Sequence, residues 1–153
     1  MKLFICTLPL LLGAHLLAAD APAADLYSVR EFGAKGDGKT DDTVAFQKAL
    51  DAAKQTGGGV VYAPRGNYFF TGHLDVPGAV TLKGVWESVP SHVGLRNRGA
   101  AKPTDDGTTF LVTEGQGKEE GPPFIALHDN STLKGVVLYY PEQNPAEEPK
   151  AYP

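Results

Sequence analysis

A helical spacing of apolar residues occurs in one stretch of this chain, around residue 50. Its four apolar positions follow the i, i+3, i+4, i+7 spacing of a single helical face: Phe46, Ala49, Leu50 and Ala53. Thr40 or Asp41 can cap the N-terminus, and the carboxylates of Asp41 and Asp42 suit the positive end of the helix dipole. Three glycines at 57–59 end the pattern, since glycine tolerates the left-handed conformation that follows many helices. The pattern predicts one helix over about 41–55.

The rest of the chain consists of short apolar runs separated by Gly, Pro, Asn and Asp. Such runs are typical of β-strands joined by turns. One run precedes the helix, at 26–32, and the others follow it, at 60–63, 67–71, 80–85, 109–113, 124–127 and 133–140. No second helical pattern is present in the sequence, which argues against alternating βαβ units.

A five-residue sequence occurs twice among these predicted strands. Thr-Leu-Lys-Gly-Val at 81–85 recurs at 132–136, so the second copy begins 51 positions after the first. The 22 residues at 86–107 are polar and charged, and removing them leaves a spacing of 29 residues. A repeat of that length containing several short strands suits a β-solenoid, in which each coil stacks on the next. The alternative is a chance similarity between two short strands.

Composition supports a chain with many turns and limits the classes of partner. Gly and Pro contribute 18 and 12 of the 153 residues, above their average usage of about 12%. A net charge of −4 gives no basic footprint for nucleic acid or an anionic membrane. A disulfide-stapled fold is excluded because the chain has one cysteine.

The first 24 residues have the pattern of a secretory signal peptide. Lys2 precedes an uncharged run at 3–17, and small residues at 18–24 offer A-x-A cleavage sites. The alternative, a transmembrane anchor, is disfavoured because Pro9 and Gly13 interrupt a run shorter than the about 20 residues needed to span a bilayer. We therefore expect a secreted or periplasmic protein with no membrane association after cleavage. Its mature chain would lack cysteine, since Cys6 lies in the signal.

Residues 33–40 match the G-x-x-x-x-G-K-[ST] pattern of a phosphate-binding loop, between a predicted strand and the predicted helix. Such a loop aims amide N–H groups and a lysine at a polyphosphate. Here Asp37, Asp41 and Asp42 would surround the phosphate with three carboxylates and repel it. We therefore expect no nucleotide binding. A calcium loop fits poorly too, because Lys39 would occupy a ligand position and Asp42 the place of the sharp-turn glycine.

Residues 27–74 resemble the start of the pectate lyase superfamily domain, which also opens rhamnogalacturonase-, polygalacturonase- and epimerase-like proteins. The hallmarks are FGAKGDGKTDDTVAFQKAL at 32–50 and GGGVVYAPRGNYFFTG at 57–72, with a looser resemblance to about residue 140. The resemblance implies an all-β solenoid, a right-handed parallel β-helix, whose N-terminal end is capped by the helix at about 41–55. It also implies that the three aspartates of the preceding paragraph are structural.

The resemblance further implies work on polysaccharides, often acidic ones. Lyases of this kind neutralise a uronate carboxylate, often with Ca²⁺, while a base removes the C5 proton. Hydrolases use one carboxylic group as acid and another as base. No residue of this chain matches a catalytic motif of the family, so we assign no catalytic residue. We also expect no cofactor in this chain, while Ca²⁺ would suit a longer parent protein that is a lyase.

The polar stretch at 86–107 contains the candidate carbohydrate contacts, because insertions in solenoids often lie on the binding face. A sugar ring can stack on Trp86, and an arginine can pair with a uronate carboxylate. The candidates are Trp86, His92, Arg96 and Arg98. The alternative is a solvated loop with one half-buried tryptophan.

Two further groups of residues have simpler interpretations. Asp105-Asp106-Gly107 is most simply a turn rather than a catalytic acid pair. His73, His92 and His128 are isolated from one another without the spacing of metal ligands, so we expect no metal site.

The domain organisation that we expect is a signal at 1–24 and a helical cap with the first coils of a β-helix at 25–153. The proline-rich end at 139–153 fits a linker or a break in a longer chain. The leading hypothesis is the N-terminal fragment of an exported enzyme, a lyase or glycoside hydrolase acting on polysaccharide, with no turnover by the fragment itself. The alternative is a non-catalytic carbohydrate-binding, adhesion or tailspike-type scaffold. An unfilled last coil would make the chain poorly stable.

Overall fold

The computed structural model describes residues 25–88, 106–143 and 147–153, which form ten short β-strands and one α-helix. The elements, in chain order, are β1 Leu26–Ser28, β2 Asp37–Asp41, α1 Thr43–Gln55, β3 Gly59–Tyr62, β4 Gly66–Phe70, β5 Leu74–Val76, β6 Val80–Lys83, β7 Thr108–Val112, β8 Ile125–Leu127, β9 Thr132–Lys134 and β10 Val137–Tyr139.

The strands form three parallel sheets, so the fold is all-β apart from α1. One sheet has the order β1-β3-β6-β9, a second has β2-β4-β7-β10, and the third pairs β5 with β8. From β3 onward the chain visits the first, second and third sheets in turn, and then repeats that order. Each strand therefore pairs with the strand one circuit later rather than with its neighbour in sequence.

The predicted helix is confirmed as α1. The four apolar residues of the predicted face, Phe46, Ala49, Leu50 and Ala53, are all fully buried. They face β1, β3, β5 and β6, against which the helix packs. The helix starts at Thr43, after an N-terminal boundary residue, Asp42, whose side chain makes no capping hydrogen bond. The boundary residue is thus one position later than expected, but the carboxylate of Asp41 accepts a hydrogen bond from the N–H of Thr43, the first helical residue, as a capping side chain does.

Aromatic rings from α1 and the second sheet fill the interior. The ring of Phe46 lies edge-on to Tyr68, Phe70 and Phe110, with centroids 4.9, 5.0 and 5.3 Å away. All four side chains are fully buried. The edge-to-face arrangement is the one that aromatic pairs prefer, so these rings join the helix to β4 and β7.

The repeated pentapeptide is confirmed as a structural repeat. Thr81, Leu82 and Lys83 of β6 are direct register partners of Thr132, Leu133 and Lys134 of β9. The following glycines also meet: a Cβ on Gly84 would collide with the carbonyl oxygen of Gly135. Glycine therefore permits the close approach of the two turns that follow these strands.

Other strand predictions need correction. The run at 26–32 is a strand only through Ser28, because Val29–Gly33 forms turns. The run at 133–140 divides into β9 and β10 at Gly135, whose φ of 72° breaks the strand. Sequence patterns missed β5, which has three residues, and β2, which lies in the polar segment at 37–41.

The strands β8, β9 and β10 stand at the end of their sheets within the described residues. Leu127 and Leu138 on two of these strands are 52% and 43% exposed. The ring of Tyr152 packs on Tyr140 with centroids 4.5 Å apart, so the last residues cover part of this end. Apolar side chains at a strand edge fit the predicted aggregation hazard, which stays a prediction.

Several predictions concern residues outside the described ranges. They are the signal peptide at 1–24 with Cys6, the candidate contacts His92, Arg96 and Arg98, and Asp105. Within the described ranges, no helix is long and apolar enough to cross a membrane.

Candidate functional site

The first sheet carries a row of polar side chains on its outer surface. Side chains alternate between the two faces of a strand, and the interior positions Val61 and Leu82 are fully buried. The next residues along each strand therefore point outward: Tyr62, Lys83 and Lys134, which are direct register partners. Neighbouring strands lie about 4.8 Å apart, so Lys83 and Lys134, the lysine pair, are stacked one above the other.

A carboxylate bridges the lysine pair. Nζ of Lys83 lies 2.9 Å from Oε1 of Glu87, and Nζ of Lys134 lies 3.9 Å from Oε2. The side chain of Glu87 is 72% exposed, whereas those of Lys83 and Lys134 are 30% and 49% exposed. The hydrogen bond from Lys83, with the charges of both lysines, lowers the pKa of Glu87. The cluster thus holds two cations and one anion at the surface.

A cavity of about 370 Å³ opens beside this cluster. Its lining combines the ammonium group of Lys134, the carboxylate of Glu87 and an apolar wall. The apolar wall consists of Trp86, Leu133, Val136 and Leu138, and Ser88 and Gly135 complete the lining. Ligand pockets commonly have this composition, an apolar surface with a few polar groups that orient the ligand. An apolar wall can take the face of a sugar ring, while the ammonium group takes a carboxylate.

Trp86 is the one predicted carbohydrate contact that the structure describes. Its indole ring packs directly on Gly107, where any Cβ would collide with the ring. Its ring N–H is buried and has no hydrogen-bond partner in the described part of the chain. Trp86 also lines the cavity, together with Lys134 of the lysine pair. Its contact with a sugar stays a prediction.

A second polar cluster lies at the sheet formed by β5 and β8. Nε2 of His128 is 2.5 Å from Oδ1 of Asp75, and both side chains are more than half exposed. They line a cavity of about 360 Å³ with Lys54, Pro77, Gly78 and Asp129. The pair joins Asp75 of β5 to the residue that follows β8. This second cavity lacks the apolar wall of the first.

His73 also has a carboxylate neighbour. Its Nε2 lies 3.4 Å from Oε1 of Glu114, and its Nδ1 lies 3.1 Å from the carbonyl oxygen of Pro123. In the described ranges no group of three or more His, Cys, Asp or Glu residues could hold a metal ion. The expectation of no metal stays a prediction.

The loop that resembles a phosphate-binding loop is filled by a carboxylate of the chain itself. The backbone N–H groups of Lys35 and Gly36 donate to Oδ1 and Oδ2 of Asp42, at 2.6 and 2.9 Å. Asp42 is only 1% exposed, and its burial raises the pKa of its carboxyl despite these hydrogen bonds. Two amides that a phosphate would need are thus already used. The absence of nucleotide binding stays a prediction.

The other two aspartates of this segment also accept hydrogen bonds from nearby groups. Asp37 accepts from the N–H groups of Lys39 and Thr40 and from the Thr40 hydroxyl. Asp41 accepts from the N–H and hydroxyl of Thr43 and from the Thr71 hydroxyl. All three aspartates therefore fix the local backbone, as the structural interpretation expected.

The sequence predictions did not include the lysine pair. The signal was present, since Lys83 and Lys134 occupy the same position of the repeated pentapeptide. Pairing of the two copies follows from a stacked repeat, and the alternation of Leu82 and Lys83 gives the outward direction. Glu87 carries no comparable sequence signal, because its role depends on a contact to a strand 47 positions later in the chain.

The chain is similar to known proteins. A family model described as "Rhamnogalacturonase A/epimerase, pectate lyase-like" matches residues 26–140. "Alginate lyase 7" of Azotobacter vinelandii is 63% identical over 58 residues, 37% of this chain and 7% of that protein. "Mannuronan C5-epimerase AlgE2" of the same organism is 38% identical over 94 residues, 61% of this chain and 9% of that protein.

A solved structure is also similar to this chain. The A-module of mannuronan C-5 epimerase AlgE6 from Azotobacter vinelandii has a TM-score of 0.53 and 28% sequence identity. The match covers 73% of this chain and 28% of the A-module. The chain therefore spans less than a tenth of the length of the two relatives and about a quarter of the similar structure.

Proposed function

This chain belongs to the rhamnogalacturonase A/epimerase, pectate lyase-like family, and we propose that it is part of a protein that binds and modifies a uronate polysaccharide. The relatives named as alginate lyase and mannuronan epimerases support a polysaccharide as the partner. The surface that we assign to the polymer is the lysine pair with the adjoining cavity.

The observation that carries this proposal is the carboxylate held by the lysine pair. Glu87 contacts both ammonium groups through its two oxygens, so the pair already presents geometry for a bridging carboxylate. Each uronate unit of a polymer carries one such group. The apolar wall beside Lys134 adds a surface for the ring. Together these groups suit an acidic sugar better than a neutral one.

The fold that we propose is the right-handed parallel β-helix, with α1 at its N-terminal end. The recurring order in which the strands visit the three parallel sheets supports it. The similarity to the AlgE6 A-module supports it as well. In this arrangement the lysine pair lies on successive coils, so a polymer running along the axis would meet both ammonium groups.

We also propose that the signal at 1–24 directs export. The protein would then be secreted or periplasmic and would bind its polymer outside the cytoplasm. Lysines near a uronate carboxylate can offset its negative charge, and that charge opposes removal of the C5 proton in lyase chemistry. We assign no base, no acid and no Ca²⁺ ligand within this chain. The whole protein would be a polysaccharide lyase or glycoside hydrolase.

A non-catalytic carbohydrate-binding scaffold is the second candidate. The lysine pair and the apolar wall supply groups that bind a carboxylate and a sugar ring, and binding by these groups needs no bond to break. Fold alone does not decide between the two.

Calorimetric titration of the 153-residue chain tests the proposed substrate class. We expect binding of a mannuronate oligomer and no binding of a neutral glucan oligomer of equal length. Equal affinity for the two, or no affinity for the uronate, would contradict the proposal. Ultraviolet detection of unsaturated product and reducing-end assays on the same samples separate an enzyme from the scaffold.

A further inference from the structure

We propose that Glu87 is a built-in competitor of the polysaccharide, which occupies the lysine pair until a uronate carboxylate displaces it. This inference rests on the proposed function and concerns the regulation of the same site. It makes Glu87 a residue that sets affinity and selectivity, rather than a structural ion-pair partner.

The contact geometry supports displacement. Both oxygens of Glu87 face ammonium groups, one at a hydrogen-bonding distance of 2.9 Å and the other at 3.9 Å. A sugar carboxylate has the same charge and the same two oxygens, and it can accept from the same two donors. The longer contact leaves the Lys134 ammonium the less engaged of the two, and this lysine also lines the cavity.

The exposures indicate which partner can move. Glu87 is 72% exposed and Lys83 only 30% exposed, so the carboxylate lies on the solvent side of the lysine pair. Water competes strongly with such surface pairs, and they contribute little to stability. Rotation of the Glu87 side chain would therefore cost the fold little and would free both ammonium groups.

Glu87 itself lines the proposed site. Its backbone neighbours Trp86 and Ser88 line the same cavity. A uronate ring that lies on the apolar wall brings its carboxylate toward Lys134. There it displaces the Glu87 carboxylate from the ammonium group. A neutral sugar gains nothing from that displacement, because it offers no charge in exchange. The competitor thus favours ligands that carry a carboxylate.

Comparison of the wild type with Glu87→Gln tests this inference, by calorimetric titration with a mannuronate oligomer. The glutamine keeps the size of the side chain and removes its charge. We expect Glu87→Gln to bind the oligomer about twofold to fivefold more tightly, in line with the modest strength of exposed ion pairs. The control Glu119→Gln removes an equal charge from an exposed loop residue and should leave affinity unchanged. Thermal melting of each variant verifies that the fold is retained.

The outcomes separate this inference from the proposed function. If Glu87→Gln binds no more tightly than the wild type while Lys134→Gln binds more weakly, Glu87 is not a competitor and the binding site still stands. If Glu119→Gln raises affinity as much as Glu87→Gln, the gain comes from the net charge of the protein rather than from the position of Glu87, and the inference fails. Absence of binding by the wild type and by every variant would overturn both.

Discussion

Lys83 and Lys134 are direct register partners on neighbouring parallel strands, although 51 positions separate them in the sequence. One carboxylate, that of Glu87, contacts both. The relationship ties the repeat in the sequence to the proposed function, because stacking of two copies of Thr-Leu-Lys-Gly-Val brings two like charges together. A ligand of opposite charge can then stabilise a pair that would otherwise repel.

Replacement of Gly84 by alanine should destabilise the stack of strands. The added Cβ would collide with the carbonyl oxygen of Gly135, and relief of such overpacking typically costs about 1–3 kcal/mol of unfolding free energy. Urea unfolding followed by circular dichroism measures this change. Lys118→Ala is the control, because Lys118 is an exposed loop residue whose replacement should change the unfolding free energy by about 0.5 kcal/mol or less. An equal or smaller loss at Gly84 would show that the close approach is unimportant.

Removal of the central aromatic ring should have a large effect on stability. Phe46 contacts three aromatic rings and is fully buried, and Phe→Ala changes in such positions cost about 3–5 kcal/mol. The exposed neighbour Val44, which is 62% exposed, provides the comparison in the same helix. We expect Val44→Ala to change the unfolding free energy by about 0.5 kcal/mol or less. Similar losses in the two variants would argue against α1 as part of the core.

Asp42→Ala should destabilise the loop at 33–38. The change leaves the N–H groups of Lys35 and Gly36 without their acceptor, and the loss of hydrogen bonds to a charged group costs about 1.5–3 kcal/mol. Asp42→Asn retains one carbonyl acceptor, so a smaller loss is expected. Denaturant midpoints of the two variants check the order. If Asp42→Asn lost more stability than Asp42→Ala, the hydrogen bonds from these two N–H groups would not be what stabilises the loop.

The stability contributed by Asp37 should depend on pH in the acidic range. Hydrogen bonds from Thr40 and Lys39 lower the pKa of Asp37 to about 2, below its ordinary value near 3.9. A lowered folded-state pKa contributes stability above the unfolded pKa, and this contribution is lost as the pH falls through the folded value. We expect the wild type to melt above Asp37→Asn at about pH 5, with the difference shrinking between about pH 4 and pH 2. A constant difference over that range would contradict the assignment.

The sequence predicted α1 and the pairing of the repeated pentapeptide because each depends on a repetition that is visible in the sequence itself. The face containing Phe46 needs only the 3.6-residue period. The pairing of β6 with β9 needs only stacking of like sequences. The division of the last predicted run into β9 and β10 depends on one glycine in the left-handed region, Gly135, and an apolar pattern does not register it.

Contacts between distant strands explain most of what the sequence could not predict. The approach of His128 to Asp75 follows from the pairing of β5 with β8, and β5 is too short to show a pattern. Asp42 lies at the start of α1 as expected, but the sequence did not predict that its carboxylate is buried and accepts hydrogen bonds from two loop amides. Of the predicted carbohydrate contacts, only Trp86 lies in the described ranges, and the structure places it beside Lys134.

The most direct test of the central claim is the affinity of the double variant Lys83→Gln/Lys134→Gln for a mannuronate oligomer, measured by calorimetric titration at low salt. We predict a loss of about tenfold or more, since hydrogen bonds to charged groups are worth about 1.5–3 kcal/mol each and tenfold corresponds to about 1.4 kcal/mol. The control Lys48→Gln/Lys118→Gln removes the same charge from exposed positions and should bind like the wild type. Unchanged affinity in the first variant, or an equal loss in both, would contradict a uronate-binding site at the lysine pair.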